Sequence, residues 1–277
     1  MSAPHAASPP TTHGAGHRRA APAFALAAAL LGFFVITFDT SVVNVALPAV
    51  HSDLGGGMSG LQWVMDGYAL AFAAVLLSAG SMSDRVGARR AFAMGLAVFV
   101  ASSTVCGPAP DLATLVIARV VQGLGAAMMT PSSRTLIREG YSDPVERGRA
   151  IALWTVGGAV AAAAGPVTGG ALSLISWRMI FFINLPVGVA AVVLLVRVAR
   201  SAGREVPHDR TGQIAAVTAM GALTYGVIEV GADGLGAPRV LVSLTVTALA
   251  LAVFVTAQPA SQRAKTSCRP RRTGATS

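Results

Sequence analysis

Charge is scarce in this 277-residue chain: Asp, Glu, Lys and Arg make up 12% of it, about half the usual share of a soluble domain. So few ionic groups could not cover a water-facing globule, and a hydrophobic share of 53% with mean hydropathy +0.63 excludes one from the other side. Cysteine is scarcer still. Cys106 lies in an apolar run and Cys268 in a basic tail, which provides neither a disulfide framework nor a thiolate cluster. Histidines 5, 13, 17, 51 and 208 all fall outside the apolar runs, so a His-based metal site inside them is excluded. No metal and no cofactor is expected. A net charge of +9 would suit nucleic acid if it formed a stripe, but the basic residues sit in short groups between apolar runs, so no nucleic-acid partner is expected either.

What the chain has in abundance is long apolar runs. A helix needs about 20 apolar residues to cross the hydrocarbon core, and eight stretches qualify: 23–48, 62–82, 91–109, 112–133, 150–174, 178–196, 212–232 and 239–257. They are too long and too uniformly apolar for barrel strands, which alternate. The expected fold is an all-α integral membrane bundle embedded in a lipid bilayer.

Basic residues set its orientation, because Lys and Arg accumulate on the cytoplasmic side. Of the 21, 18 lie in the two end segments and the alternate loops on one side; Arg178 and Arg239 lie on the other, and Arg119 is inside a span. That split places both termini in the cytoplasm. Residues 1–22, rich in Ala, Pro, Ser and His, read as a disordered cytoplasmic tail. Arg18 and Arg19 precede an apolar run longer than a signal peptide's, with no small-residue cleavage site after it. That run is therefore read as the first span. The resulting divisions are the tail 1–22, six spans in 23–196, a cytoplasmic loop 197–211, two further spans in 212–257 and a basic cytoplasmic tail 258–277.

Ionisable groups inside hydrocarbon cost about 2.5–3.5 kcal/mol each on insertion scales, so Asp39, Asp66, Arg119 and Glu229 need a reason. Asp66 and Glu229 lie near outer helix ends and can reach the interface. Trp63 and Tyr68, flanking Asp66, fit an aromatic belt. Asp39 and Arg119 lie deeper, both roughly 10–14 Å below the outer surface by helical rise. Opposite charges at one depth make a natural ion pair. Two readings of it stand: a static pin between the first and fourth spans, or a carboxyl that alternates between protonated and paired states. Thr40 and Asn44 share a face of the first span, and Gln122 lies one turn from Arg119. These three mark either a polar cavity or interhelical hydrogen bonding.

Two more features stand out. In the fifth span Gly157, Ala161, Gly165 and Gly169 recur every four residues beside Pro166 and Gly170, a ridge that permits close helix approach. Between the second and third spans, 80–90 reads GSMSDRVGARR. Its acid, two glycines and three arginines suit a tight turn with a charge clamp on neighbouring helix ends.

Through these residues the chain resembles the major facilitator superfamily, and within it the 14-helix class of drug:proton antiporters. Gly80, Asp84, Arg85, Gly87, Arg89 and Arg90 match that superfamily's G-x-x-x-D-R-x-G-x-R-R signature. The run from Asp39 to Pro48 resembles the first-helix motif of the multidrug branch, with Ser41 where Thr is usual. Arg119, Gln122, Gly123 and Gly125 are similar to R-x-x-Q-G-x-G of the fourth helix, and Gly165, Pro166, Gly169 and Gly170 to the antiporter motif of the fifth. Alanines at 152 and 161 stand where that motif has earlier glycines, and WRMIFFINLPVG at 177–188 is typical of the class.

The resemblance implies a plasma-membrane transporter, not an enzyme, that exports a small amphipathic substrate by alternating access while protons enter. It implies Asp39 as the protonation or substrate-contact site, Arg119 as its tuning partner, and Thr40, Asn44 and Gln122 as cavity residues. The 80–90 loop would latch the inward-closed state, and the Gly165–Gly170 ridge would seal the interface between halves. Such transporters contain two six-helix halves, and this chain supplies one half plus two additional spans. Three expectations follow: an amino-terminal form of an exporter lacking its carboxy-terminal half, a half-transporter that pairs with a second copy, or a non-transporting membrane binding protein. The tail at 258–277 is read either as a basic segment held by anionic lipid or as the product of a frameshift near 254–261.

Overall fold

A computed structural model describes residues 20–199, 201 and 210–267. Among the described residues every regular element is helical: α1 (Ala20–Leu54), α2 (Met58–Val86), α3 (Ala88–Cys106), α4 (Leu112–Gly140), α5 (Pro144–Ser173), α6 (Met179–Phe182), α7 (Asn184–Val196), α8 (Arg210–Asp233) and α9 (Pro238–Ser267). Among the described residues seven helical segments are long and apolar enough to cross a membrane. The arms of α2, Met58–Leu76 and Ser78–Val86, meet at 56° and make the eighth if counted as one span. Valines and leucines such as Val189, Val193, Leu249 and Val255 face outward, while Asp39, Arg119, Gln122 and Asn184 are inside. That inversion of the soluble pattern is what a lipid solvent selects.

Several helices outrun the stretches read from sequence. Pro48 and Pro131 lie inside α1 and α4 without ending them. The Asp111 carboxylate starts α4 by accepting from the Thr114 N–H at 2.8 Å, which holds that carboxyl below its usual range. Asp143 caps α5 in the same way through the Glu146 N–H at 2.8 Å, with Pro144 in the first turn. The single span 178–196 is interrupted at Ile183 into α6 and α7. The expected tail 1–22 lies outside the described residues up to residue 19, and α1 already includes 20–22. Residues 200 and 202–209 of the expected 197–211 loop lie outside them too, and α8 begins at Arg210. Of the 258–277 tail, 258–267 continue α9 and 268–277 are outside the described residues.

The 80–90 segment is not a loop. Helix α2 runs through Asp84 and Arg85 to Val86, and α3 starts at Ala88, so one residue, Gly87, makes the whole turn at φ +88°. A side chain there would meet the Ser201 carbonyl oxygen at 2.5 Å and would be strained by the backbone angle. Arg89 and Arg90 occupy the first turn of α3.

Close helix contacts are built on missing side chains. On α4, Gly123 faces α2, where a Cβ would stand 2.4 Å from the Tyr68 carbonyl oxygen. Two residues on, about 200° around the helix, Gly125 faces α3: a Cβ would lie 2.7 Å from both the Gly95 oxygen and the Phe99 nitrogen. One short motif thus brings two neighbours against α4. Across from them, α1 packs on α4, α5 and α7, while α8 lies on α2 and α9 on α8.

At the end of α1 remote from Ala20, Asp53 accepts from Trp177 Nε1 at 3.0 Å and pairs with Arg178 at 3.1 Å. Arg178 also donates to the Ala109 carbonyl at 3.3 Å, tying α1 to the α3–α4 and α5–α6 turns. Gly125→Ala forces backbone apart at the α3–α4 crossing and should cost about 1–3 kcal/mol. Gly148→Ala, where nothing lies within 4 Å, should be neutral or stabilising by about 0.5–1 kcal/mol. Thermal melting in detergent reads both, and equal melting temperatures for the two variants would contradict this packing.

Candidate functional site: a buried carboxylate centre

Helix α4 carries Arg119 and Gln122 one turn apart, so both point to one side. On α3, Ser103 and Cys106 repeat that spacing. Asp39 comes from the middle of α1, and Asn184 is the first residue of α7, placed there by the interruption at Ile183. These side chains converge where solvent is absent: Asp39 is 1% exposed and Arg119, Gln122, Ser103 and Asn184 are 0% exposed.

Asp39 sits at the centre. Its Oδ2 takes a charge-assisted hydrogen bond from Arg119 Nη1, and its Oδ1 accepts from Gln122 Nε2 at 3.0 Å and Asn184 Nδ2 at 2.8 Å. Ser103 Oγ also accepts from Gln122 at 2.7 Å and from Asn184 at 3.1 Å. Gln122 Oε1 accepts from Arg119 Nη1 at 2.8 Å and, weakly, from the Cys106 thiol at 3.8 Å. Arg119 Nε donates to the Val64 carbonyl at 3.3 Å, and its guanidinium lies 4.2 Å from the Tyr68 ring centroid. Five helices, α1, α2, α3, α4 and α7, therefore meet on one ion pair. Three buried atoms of the cluster have no hydrogen-bond partner: Arg119 Nη2, Tyr68 OH and Asn184 Oδ1.

The residues singled out from sequence divide sharply. Asp39, Arg119 and Gln122 come together. Thr40 and Asn44 do not join them: Thr40 Oγ1 donates to its own helix at Ile36 and Thr37, and exposed Asn44 donates to the Thr40 carbonyl. In the 80–90 segment Asp84, Arg85 and Arg90 are exposed and Gly80 has open space around it. The Arg89 backbone N–H donates to Ser201 Oγ at 3.2 Å, and Ser201 Oγ in turn donates to Glu139. On α5, Gly165 and Gly169 press against Ser41 and Val42 of α1 within this bundle, while Pro166 is exposed and a Cβ on Gly170 would meet nothing within 4 Å.

Four members of the centre escaped the sequence reading: Asn184, Ser103, Tyr68 and Cys106. Asn184 left a signal, being the only polar side chain in MIFFINLPVGVAAVVLLV, where an amide has to find a partner. Ser103 is indistinguishable in sequence from Ser102 and Thr104 beside it. Tyr68 was expected in an interfacial belt and is instead 3% exposed, packed beneath Arg119. Glu229, near the carboxy-terminal end of α8, lies 3.8 Å from Arg239. Among the described residues no group of three or more His, Cys, Asp or Glu is placed to hold a metal ion.

Removing one member of a buried pair leaves the other charge uncompensated and costs about 3–5 kcal/mol. Arg119→Gln should therefore lower the melting temperature of the detergent-solubilised chain sharply. Asp39→Asn combined with Arg119→Gln should recover much of that loss. A double variant no more stable than Arg119→Gln alone would show that the pair is not energetically coupled.

The sequence pattern of the family described as the Major Facilitator Superfamily matches residues 29–264. The Methylenomycin A resistance protein of Bacillus subtilis is 38% identical over 227 residues, covering 81% of this chain and 49% of that protein. The Multidrug resistance protein Stp of Mycobacterium tuberculosis is 38% identical over 228 residues, covering 81% and 42%. The Cephamycin export protein CmcT of Amycolatopsis lactamdurans is 39% identical over 237 residues, covering 83% and 49%. The chain spans about half the length of the curated relatives it matches. Among solved structures, the peptide transporter POT superposes with a TM-score of 0.59 at 17% identity over 80% of this chain and 48% of that one. A D-xylose-proton symporter does so with a TM-score of 0.54 at 15% identity over 83% and 66%. Those two likenesses concern the fold alone, and they agree with the helical membrane architecture. On this evidence the chain is a multi-pass membrane protein belonging to the Major Facilitator Superfamily, a family of transporters rather than enzymes.

Proposed function

We propose that this chain forms the amino-terminal side of a proton-coupled exporter of small amphipathic drugs or metabolites, working by alternating access. The observation that carries the reading is the ion pair of Asp39 and Arg119 at the meeting point of five helices. A proton on Asp39 removes the charge that Arg119 holds, so the strongest link between α1 and α4 weakens without any change in covalent structure. A proton crossing a potential of about 100 mV supplies roughly 2.3 kcal/mol, with any pH gradient in addition. That is the scale on which a helix contact can be made or broken. The names of the relatives, which mention resistance to or export of antibiotics, support the substrate class.

Asp39 touches no open surface in this conformation, so the same reading makes it a proton site reached after a rearrangement rather than a standing substrate contact. In this reading Asn44, which is exposed, lines the substrate path with Thr40 beside it. The six spans of 23–196 act as the transporter half, with the two spans of 212–257 as an addition to it. In this account the chain lies in the plasma membrane with both termini in the cytoplasm, following the 18-to-2 division of basic residues. Gly80, Asp84, Arg85, Arg89 and Arg90 around the Gly87 turn serve as the cytoplasmic gate, and the Gly165–Gly170 ridge seals the interface between halves. The companion that completes the pathway is a carboxy-terminal half or a second copy of this chain.

Inverted vesicles from membranes in which the chain stands with the companion that completes it, energised by respiration and supplied with external ethidium as a lipophilic cation, test the proposal. Gradient-driven ethidium transport should fall at least tenfold in Asp39→Asn, in line with loss of an essential protonation step. Transport that is unchanged in Asp39→Asn, or that survives collapse of the gradient, would overturn the proton-coupled reading. The mass of the detergent-solubilised complex separates a self-paired chain from a single one.

A further inference from the structure

The two amides beside Asp39 are held very differently. Gln122 uses both ends: Oε1 accepts from Arg119 and Cys106, and Nε2 donates to Asp39 and Ser103. Turning it over would set an NH2 group against the guanidinium. Asn184 uses one end only. Its Nδ2 donates to Asp39 Oδ1 at 2.8 Å and to Ser103 Oγ at 3.1 Å, while its Oδ1 is buried without a hydrogen-bond partner. A buried carbonyl oxygen left unpaired is an exception that calls for an explanation.

Protonation of Asp39 supplies one. An ionised carboxylate accepts only, and the present donors suit it; a protonated carboxyl carries an O–H that needs an acceptor. The charged and titratable groups around it offer little. Arg119 from α4 only donates, the Cys106 thiol of α3 points to Gln122, and the Tyr68 hydroxyl of α2 makes no bond to Asp39. Helices α6 and α7 carry no ionisable side chain, nor does α5 from Ala150 onward. Ser103 Oγ already accepts twice. Two acceptors of the cluster are unengaged, the Tyr68 hydroxyl and Asn184 Oδ1, and of the two only Asn184 belongs to a side chain already hydrogen-bonded to Asp39.

We propose that Asn184 is a positioning residue that exchanges donor for acceptor when Asp39 takes up a proton. A half-turn about its Cβ–Cγ bond replaces Nδ2 with Oδ1 opposite the carboxyl, so the new O–H donates to Asn184. The proton is delivered by hydronium in the open state: one hydronium O–H bond breaks as an O–H bond forms on a carboxylate oxygen, and neutral water leaves. Contact between α1 and α7 then survives in both protonation states, while the α1–α4 link through Arg119 weakens only in the protonated one. α1 would accordingly move together with α7 and away from α4. This inference rests on the proton-coupled reading above.

Asparagine occurs at just two positions, Asn44 and Asn184, which makes the amide observable. The full chain, labelled with 15N in asparagine side chains and placed in lipid nanodiscs, should give two NH2 signals, and Asn44→Ala identifies them. On going from mildly alkaline to mildly acidic buffer, the Asn184 signal should shift together with the appearance of an infrared carboxylic-acid band. Asp39→Asn should abolish both the band and the shift. Asn184→Leu, of similar shape but unable to accept, should move the acid band to the higher frequency of an unbonded carboxyl. An Asp39-dependent acid band with a stationary Asn184 signal, or with a frequency indifferent to Asn184→Leu, would overturn this inference and leave proton coupling intact. Absence of any Asp39-dependent band would overturn both.

Discussion

A carboxylate and a guanidinium buried side by side in hydrocarbon constrain everything around them. Neither can be left alone there, because an uncompensated charge costs more than a helix contact returns. Each must also have its remaining donors and acceptors met by groups that themselves sit at the right depth. Asp39 and Arg119 meet that condition with Gln122, Asn184, Ser103, the Val64 carbonyl and the Tyr68 ring. The result is that α1, α2, α3, α4 and α7 are registered to one another by polar geometry, not by apolar packing alone, which in a bilayer has little preference for one helix neighbour over another.

Backbone proximity is the second requirement, and glycine supplies it. The side chains of α4 could not reach both α1 and α3 at hydrogen-bonding distance unless α4 lay close to its neighbours. Gly123 and Gly125 remove the side chains that would hold α2 and α3 away. On the other flank Gly158, Gly165 and Gly169 let α5 settle on Phe33, Ser41 and Val42 of α1. The fourth-helix motif therefore joins two functions within seven residues: Arg119 and Gln122 make the polar centre, and the glycines bring its walls together.

Much of this was legible before any coordinates. Hydropathy located the spans, since a bilayer sets their minimum length. Helical rise put Asp39 and Arg119 at one depth. What periodicity does not encode is which helices touch. Asn184 was missed because a lone amide in an apolar span can face any of several neighbours, and Ser103 because three adjacent hydroxyls look alike. Tyr68 was misplaced because an aromatic near a helix end suits an interface as well as a cation. The 80–90 segment read as a loop because its two glycines and dense charge suggest a turn; in fact a single residue at positive φ suffices, and helix persists on both sides. The contact of Gly165 and Gly169 with Ser41 and Val42 of α1 is likewise not encoded in the four-residue spacing of the ridge.

The central claim is that Asp39 exchanges protons with water as part of the working cycle. Counting protons tests it most directly: a purified, lipid-reconstituted chain is acidified in steps, uptake is followed with a pH indicator, and wild type is compared with Asp39→Asn. Wild type should take up one more proton per chain than the variant. Identical uptake in the two would mean that the buried pair is a fixed structural pin and that proton coupling lies elsewhere.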